Sequence, residues 1–230
     1  PYLLIKVQDY LKLRAKKPKF FMKYKEVFID PGVYELVKSD KYSWEGILDI
    51  REFLDSLPPN HYFAADYPCD MNLKFTARFL DKSWTNALKY CWHPHYIVTV
   101  QSQFNDYWHF TQWFDRYNNL NIVSGILALG NLFGINFLTE FMKHALDYAF
   151  SHCNHPRIHV YGLGKNNILH AYKLAKHFKI KLSIDSTKWT RMTCANDLRY
   201  TEGLSCSSKN RQKYFDVYLE SLESIGIELE

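Results

Sequence analysis

Short runs of apolar residues alternate along the chain with longer stretches in which apolar positions recur every three or four residues. The short runs are Leu3–Val7, Val27–Ile29, Tyr62–Ala65, Tyr96–Val100, Asn121–Ile126, Ile158–Tyr161 and Lys181–Ile184. Most of them are apolar at nearly every position, which is typical of strands buried on both faces of a sheet. The pattern therefore predicts parallel strands connected by helices.

The longer stretches predict amphipathic helices. In "NNILHAYKLAKHFK" one face carries Ile168, Ala171, Tyr172, Ala175 and Phe178, and Asn167 stands near the expected N-cap. The stretches "WEGILDIREFLDSL" and "FLTEFMKHALDYAF" show similar spacing. Regular alternation of strands and helices predicts an α/β fold with a parallel sheet.

Polar or glycine residues stand at or just after the predicted carboxyl ends of the strands. They are Asp30, Asp66, Gln101, Gly125, Gly162 and Asp185. In an open doubly wound sheet such residues are spread along an edge, whereas in a closed TIM barrel they converge on one mouth. The repetition favours a (β/α)8 barrel that fills a single domain, residues 1–230, and its first strand is expected upstream of Pro1 or in degenerate form.

Composition narrows the range of cofactors and compartments. The chain of 230 residues is 47% hydrophobic, which supplies a sizeable core, yet it contains no long apolar run or secretory signal, so no membrane partner is expected. Five scattered cysteines favour a reducing cytoplasmic compartment. The segments "CWHPH" and "HCNHPRIH" lack the paired spacing of zinc ligands, so neither a metal nor another cofactor is expected.

Charge is concentrated in one segment. The net charge is +5, and the segment "KLRAKKPKFFMKYK" contains seven basic residues and no acidic one. Such a segment suits a polyanion such as nucleic acid, although a solvated helix and loop would have the same composition. Lys16, Lys17 and Lys19 form its centre and are predicted to contact phosphates.

Three aspartates, Asp30, Asp66 and Asp185, have the same relation to their strands. Each alone is most often a turn or capping residue, but carboxylates gathered at one barrel mouth can divide into nucleophile, acid/base and recognition roles. Gln101 adds an amide that can both donate and accept. Tyr161 and Gly162 suit the close approach of a flat ligand.

Six segments in one order resemble motifs of the tRNA-guanine transglycosylase superfamily. They are "FIDPGVYEL", "FAADYPCD", "VTVQSQ", "SGILALG", "VYGLG" and "IDSTKWTR". That superfamily consists of TIM-barrel enzymes that exchange guanine in nucleic acid for a 7-deazaguanine base. The resemblance implies that Asp185 is the covalent nucleophile and Asp30 the general acid/base.

The resemblance also implies a set of binding residues. Asp66 and Gln101 would read the base edge, Gly125 or Ile126 would offer backbone contacts, Tyr161 and Gly162 would pack on the base, and Arg191 would contact a phosphate or organise the site. Lys165 and Lys188 join the basic segment as expected nucleic-acid contacts.

Departures from the superfamily pattern narrow the expected substrate. Only Cys194 and Cys206 follow the last motif, where the tRNA enzymes have a Cys-x-Cys-x-x-Cys zinc site with a distant His. A barrel without the zinc subdomain is more similar to the phage and bacterial branch that modifies DNA. The expected partners are DNA and a free 7-deazaguanine base, with accessory proteins as further partners. The alternatives are a zinc-less tRNA enzyme, an inactive binding barrel, and a small-molecule lyase or hydrolase on the same barrel.

Overall fold

The computed structural model describes residues 2–32, 48–71, 74–130, 132, 139–184, 219–220, 222–224 and 226–227. Its strands are β1 (Tyr2–Lys6), β2 (Glu26–Asp30), β3 (His61–Ala64), β4 (Asp70–Met71), β5 (Lys74–Phe75), β6 (Tyr96–Val100), β7 (Ile126–Leu129), β8 (Arg157–Val160) and β9 (Lys181–Ile184). Seven of them form one sheet in the order β1-β2-β3-β6-β7-β8-β9, and every neighbouring pair is parallel. The predicted parallel α/β architecture is confirmed.

One predicted strand was misplaced. The segment Asn121–Ile126 was expected to be a strand, but the strand is Ile126–Leu129 and the residues before it form a turn. Gly125 has a φ of +69°, a conformation that favours glycine, and it ends that turn. The β-branched residues Ile122 and Val123 are typical of strands and led to the wrong prediction. The Ser-Gly dipeptide that follows them indicates the turn.

Helices follow the strands of the sheet. They are α1 (Val7–Lys16), a 3-10 helix (Pro18–Lys23), α2 (Ile50–Asp55), α3 (Ala77–Tyr90), α4 (Tyr107–Asn118), α5 (Glu140–His152) and α6 (Lys165–Phe178). Asp49, Asp106 and Thr139 accept backbone N–H bonds at the starts of α2, α4 and α5. No helix in the described part of the chain is long and apolar enough to cross a membrane.

The predicted inner face of α6 is confirmed in its first three turns and wrong at its end. Ile168, Ala171 and Ala175 are buried, whereas Phe178 is exposed. The N-cap is Gly164 and not Asn167. Phe178 is the last residue of the helix, where the chain turns back towards β9, so its side chain projects past the packed layer.

Contacts across the sheet show that it is curled. Arg157 of β8 forms an ion pair of 2.7 Å with Glu26 of β2, and the rings of His159 and Phe28 stack with centroids 5.0 Å apart. Four strand spacings separate β2 from β8 along the sheet, which would place them about 19 Å apart if it were flat. The two strands therefore face each other across the interior of a half-barrel.

The register across the sheet has the stagger of a barrel. Following the paired residues from strand to strand, the ladder leads from Phe28 to Tyr62, His95, Ser124 and His155. Phe28 nevertheless contacts His159, four positions further along the chain than the ladder partner. A TIM barrel has a shear of about eight residues over eight strands, so four strand steps correspond to a shift of about four residues.

The sheet separates two apolar layers. Inside the curl lies a small cluster of Phe28, Ala64, Ile97, Ile126 and Ala128. Outside it, a larger core packs between the sheet and the helices, and it includes Leu222 and Ile227 from the C-terminal part of the chain. The curled sheet thus has a narrow, filled interior whose upper end is formed by the residues that follow the strands.

Candidate functional site

The carboxyl ends of four strands of the sheet carry polar side chains. Asp30 is the last residue of β2, Asp66 follows β3 after one further residue, Gln101 follows β6 directly and Tyr161 follows β8 directly. Because the sheet is parallel and curled, these ends lie on one side of the half-barrel. The prediction that Asp30, Asp66, Gln101, Tyr161 and Gly162 follow strand ends is confirmed.

The loop that carries Asp66 is held by hydrogen bonds from α3. The Asn86 side chain donates to the backbone oxygen of Ala65 over 2.8 Å. The hydroxyl of Ser83 accepts from the Tyr67 N–H and donates to the Tyr67 backbone oxygen. These bonds lie on both sides of Asp66 in sequence, so they fix its backbone and limit the positions of its carboxyl group.

Gln101 is bonded directly to Asp66. The Gln101 Nε2 group donates to Asp66 Oδ2 over 2.6 Å, and the Gln101 residue is almost completely buried. Gly130 leaves space for this amide, because a Cβ atom at Gly130 would clash with Gln101 Nε2. The Gln101 Oε1 atom is buried and has no hydrogen-bond partner in the described part of the chain, so it can accept from a ligand.

The two carboxyl groups influence each other. Burial, and after it the charge of Asp30, raise the pKa of Asp66 from 3.8 to about 7, while the hydrogen bond from Gln101 lowers it. Asp66 therefore exchanges a proton near neutral pH. Such a group can act as an acid or a base without a large energetic penalty in either direction.

Asp30 is oriented by its own turn. The backbone N–H of Gly32 donates to Asp30 Oδ1 over 2.6 Å, and Gly32 has a φ of +73°. Asp residues commonly form this type of turn by bonding a backbone N–H two residues on. The capping interpretation that the sequence left open is thus part of the structure of Asp30, but its second oxygen is not used by this bond.

Beneath these carboxyl groups lies a chain of polar contacts. Arg157 pairs with Glu26 and donates from Nε to the Ser183 hydroxyl, which lies 3.0 Å from His159 Nδ1. This hydroxyl accepts from Arg157 and keeps a second lone pair and its own proton, so it either accepts from His159 Nδ1–H or donates to Nδ1, depending on the imidazole tautomer. Burial and the Arg157 charge lower the pKa of His159 to about 3, so this side chain is neutral.

Two predicted backbone contacts lie at the wrong end of the sheet. Gly125 and Ile126 were expected at the carboxyl end of their strand, but Ile126 is the first residue of β7 and Gly125 precedes it. They are therefore separated from Asp66 and Gln101 by the length of the strand. The glycine at the carboxyl end is Gly130. It was missed because the strand was predicted to end before it, at Ile126.

The basic segment also lies away from the carboxyl groups. Lys16, Lys17 and Lys19 stand at the end of α1 and in the connection to β2. Phe21 of that connection contacts His61, the first residue of β3. A helix that follows a strand of a parallel sheet returns to the amino end, so these lysines cannot bind phosphates beside a base at the carboxyl end.

Three predicted residues lie outside the described residues: Asp185, Arg191 and Lys188. Their roles stay predictions. Lys165 begins α6 at the carboxyl side of β8, and its side chain also lies outside the described part.

The sequence reading missed two further residues of this region, His159 and Ser183. Both precede a strand-end residue by two positions, so they share its face in a strand. Because side chains of a strand alternate between its two faces, the residue two positions before Tyr161 could have been predicted to share its face, and this residue is His159. No group of three or more His, Cys, Asp and Glu side chains in the described part could hold a metal ion.

Comparisons with protein families, with curated proteins and with solved structures find no match to this chain. The interpretation of the site therefore depends on its own geometry and on the motifs in the sequence.

We expect Asp66→Asn to stabilise the protein at alkaline pH. The folded state holds the Asp66 proton up to about pH 7, whereas the unfolded state releases it near pH 4, so wild-type stability falls between these values. Each pKa unit corresponds to about 1.4 kcal/mol. With partial solvent contact, the expected gain is about 3 kcal/mol at pH 8 and close to zero at pH 4.

Urea unfolding at the two pH values measures this difference. The matched control is Asp49→Asn, which changes an exposed cap of α2 and keeps an acceptor for the Glu52 N–H. An equal gain at pH 4 and pH 8 for Asp66→Asn would show that Asp66 has an ordinary pKa.

Proposed function

We propose that this protein is a base-exchange enzyme that replaces guanine in DNA with a 7-deazaguanine base. The observation that carries the proposal is the pairing of Asp66 with Gln101, next to Asp30, at the carboxyl ends of a curled parallel sheet. This is the end at which TIM-barrel enzymes hold their catalytic groups. The order of the motifs in the sequence supports the same assignment.

The chemistry needs a nucleophile, an acid and a base. In the proposed reaction a carboxylate oxygen of Asp185 bonds to C1′ of the deoxyribose as the glycosidic bond to guanine breaks, and Asp30 gives a proton to the departing base. The incoming 7-deazaguanine loses a proton from its glycosidic nitrogen to Asp30. That nitrogen then bonds to C1′ and releases the Asp185 carboxylate.

Recognition of the base edge is the proposed task of Asp66 and Gln101. Guanine presents adjacent ring and exocyclic N–H donors, and an ionised Asp66 can accept from both. Gln101 Oε1, which has no partner among the described residues, adds a buried acceptor. The target base must leave the stack of the duplex to reach this end of the barrel, and Tyr161 is proposed to pack on it.

The same proposal includes a complete (β/α)8 barrel without a zinc subdomain. The shift of four residues between β2 and β8 is what half of such a barrel requires. An enzyme of this kind works in the cytoplasm of a bacterium or of a phage-infected cell, where its DNA substrate is found.

Incorporation of a labelled base tests the function. The protein is incubated with radiolabelled 7-deazaguanine and either guanine-containing duplex DNA or tRNA, and the label is counted in precipitated nucleic acid. We expect label in DNA and none in tRNA. Label only in tRNA would support the zinc-less tRNA enzyme, and label in neither would favour a binding barrel without this activity.

A covalent adduct tests the proposed nucleophile. When DNA is supplied without an incoming base, an adduct that survives denaturation is expected for the wild type and not for Asp185→Asn. An adduct of unchanged amount in Asp185→Asn would contradict the mechanism.

A further inference from the structure

Exposed apolar side chains are concentrated at the amino end of the sheet. The large exposed apolar residues of the described part are Met22, Leu88, Trp92, Trp108, Val123 and Phe178. Trp108 stands in the first turn of α4, near the carboxyl end of β6. The other five lie in the last turn of a helix or in the connection to the next strand, which places all of them at the opposite end.

We call this surface the amino-end face and define it by residues 17–25, 56–60, 88–95, 121–125, 153–156 and 178–181. Its parts are continuous. The Val123 N–H donates to the Cys91 oxygen over 3.0 Å, and His95 lies 2.8 Å from the His61 oxygen. Phe21 of the 3-10 helix contacts His61, and His61 is bonded to His95 in the loop that carries Trp92.

The same face carries an excess of positive charge. Its exposed cations are Lys17, Lys19, Lys23, Lys25, Lys89, Lys179 and Lys181, and Lys16 precedes them directly. Acidic groups nearby belong to α2, where Asp55 is bonded to His93 and lies 3.7 Å from Arg51. Arg51 lies in turn over the ring of Trp92.

The exposed apolar side chains of the amino-end face are suited to insertion into a lipid layer and not to contact with a polar partner. Met22 is 80% exposed and stands between Lys19 and Lys23. The indole N–H of Trp92 already donates to the Lys89 backbone oxygen over 2.7 Å, so the exposed part of this ring is apolar. Single apolar side chains surrounded by lysines are the pattern of proteins that lie on anionic membranes.

We propose that the amino-end face binds the surface of an anionic lipid bilayer. Its lysines would attract the lipid headgroups, while Met22, Trp92 and Val123 enter the boundary between headgroups and acyl chains. A DNA backbone would use the lysines but would gain nothing from exposed Met22 and Val123. This binding leaves the carboxyl ends of the strands facing away from the membrane.

Sedimentation with lipid vesicles tests the proposal. The vesicles are made of phosphatidylcholine alone or with about one third phosphatidylserine. We expect binding to the anionic vesicles only. Because each lysine near such a surface contributes about a factor of five, the triple variant Lys16→Gln, Lys17→Gln, Lys19→Gln should bind about 100-fold more weakly.

Matched variants distinguish binding by the amino-end face from binding by net charge or by exposed apolar residues elsewhere. The charge control replaces Arg78, Lys143 and Lys173 with Gln, which removes three exposed cations on α3, α5 and α6. The apolar pair is Trp92→Ser, expected to weaken binding several-fold, and Trp108→Ser, expected to leave it unchanged.

Three outcomes would overturn the proposal. The first is no binding of the wild type to anionic vesicles, and the second is equal weakening by the charge control. The third is that the lysine triple variant loses affinity for duplex DNA but keeps its affinity for vesicles, which would assign the face to nucleic acid. None of these results depends on base exchange, so the proposed function stands or fails separately.

Discussion

Replacing Glu26 with Gln is expected to lower the free energy of unfolding by about 3 to 5 kcal/mol. Glu26 and Arg157 are both largely buried and their charged atoms lie 2.7 Å apart. Gln keeps the shape and an acceptor but leaves the Arg157 charge without the Glu26 counter-charge inside the half-barrel. Urea unfolding at neutral pH measures the loss of stability. An unchanged slope of the unfolding free energy against urea concentration shows that the fold is retained.

The control variants test the position of this pair as well as its strength. Glu140→Gln removes the acid of an exposed pair with His144 and should change stability by less than about 0.5 kcal/mol. Adding Arg157→Met to Glu26→Gln should recover part of the loss. Additive effects of the two substitutions would mean that β2 and β8 do not face each other, and the half-barrel would be wrong.

Replacing Asp30 with Asn is expected to slow base exchange on the order of 10²- to 10⁴-fold, the usual contribution of a general acid or base. Asn keeps an oxygen for the Gly32 N–H, so the turn should persist. The charge of Asp30 raises the pKa of Asp66, so the variant should also show Asp66 titrating below pH 7. NMR titration of the Asp66 carboxyl group measures this shift without any substrate.

The carboxylate Asp106 provides the comparison for Asp30. It caps α4 at the same end of the sheet by accepting from the His109 N–H, and Asn is an equally good cap. Asp106→Asn should therefore exchange base at the wild-type rate. Full activity in Asp30→Asn would exclude Asp30 as the acid, and an unchanged pKa of Asp66 would show that the two carboxyl groups are not coupled.

Hydrophobic patterning predicted the strands with good accuracy. The bounds of β6 and β9 agree with the sequence prediction. In β6 every residue is buried, and a strand buried on both faces requires apolar residues nearly throughout. The prediction was wrong at β7, where Ile122 and Val123 have the residue type of a strand but belong to the turn that precedes it. Residue type alone does not identify a strand when a loop is also partly buried.

Part of the site could also be predicted. The positions of Asp30, Asp66 and Gln101 at strand ends follow from the order of strands and loops, since parallel strands end on one side. The identity of the glycine beside Gln101 could not be predicted, because the predicted strand began five residues and ended three residues before β7. An error of that size moves a residue from one end of the sheet to the other. Lys16, Lys17 and Lys19 lie at the amino end because α1 follows β1 and returns along the sheet. The charge of a segment does not by itself show which end of the sheet it will occupy.

The sequence by itself determined the alternation of strands and helices, the parallel sheet and the strand-end carboxylates, because these depend on local periodicity and chain order. Only the tertiary structure decided that the sheet curls, that Glu26 meets Arg157 across it, and that Asp30 raises the pKa of Asp66. Those contacts join residues far apart in the chain. Their existence depends on the stagger and curvature of the whole sheet, and no single segment encodes them.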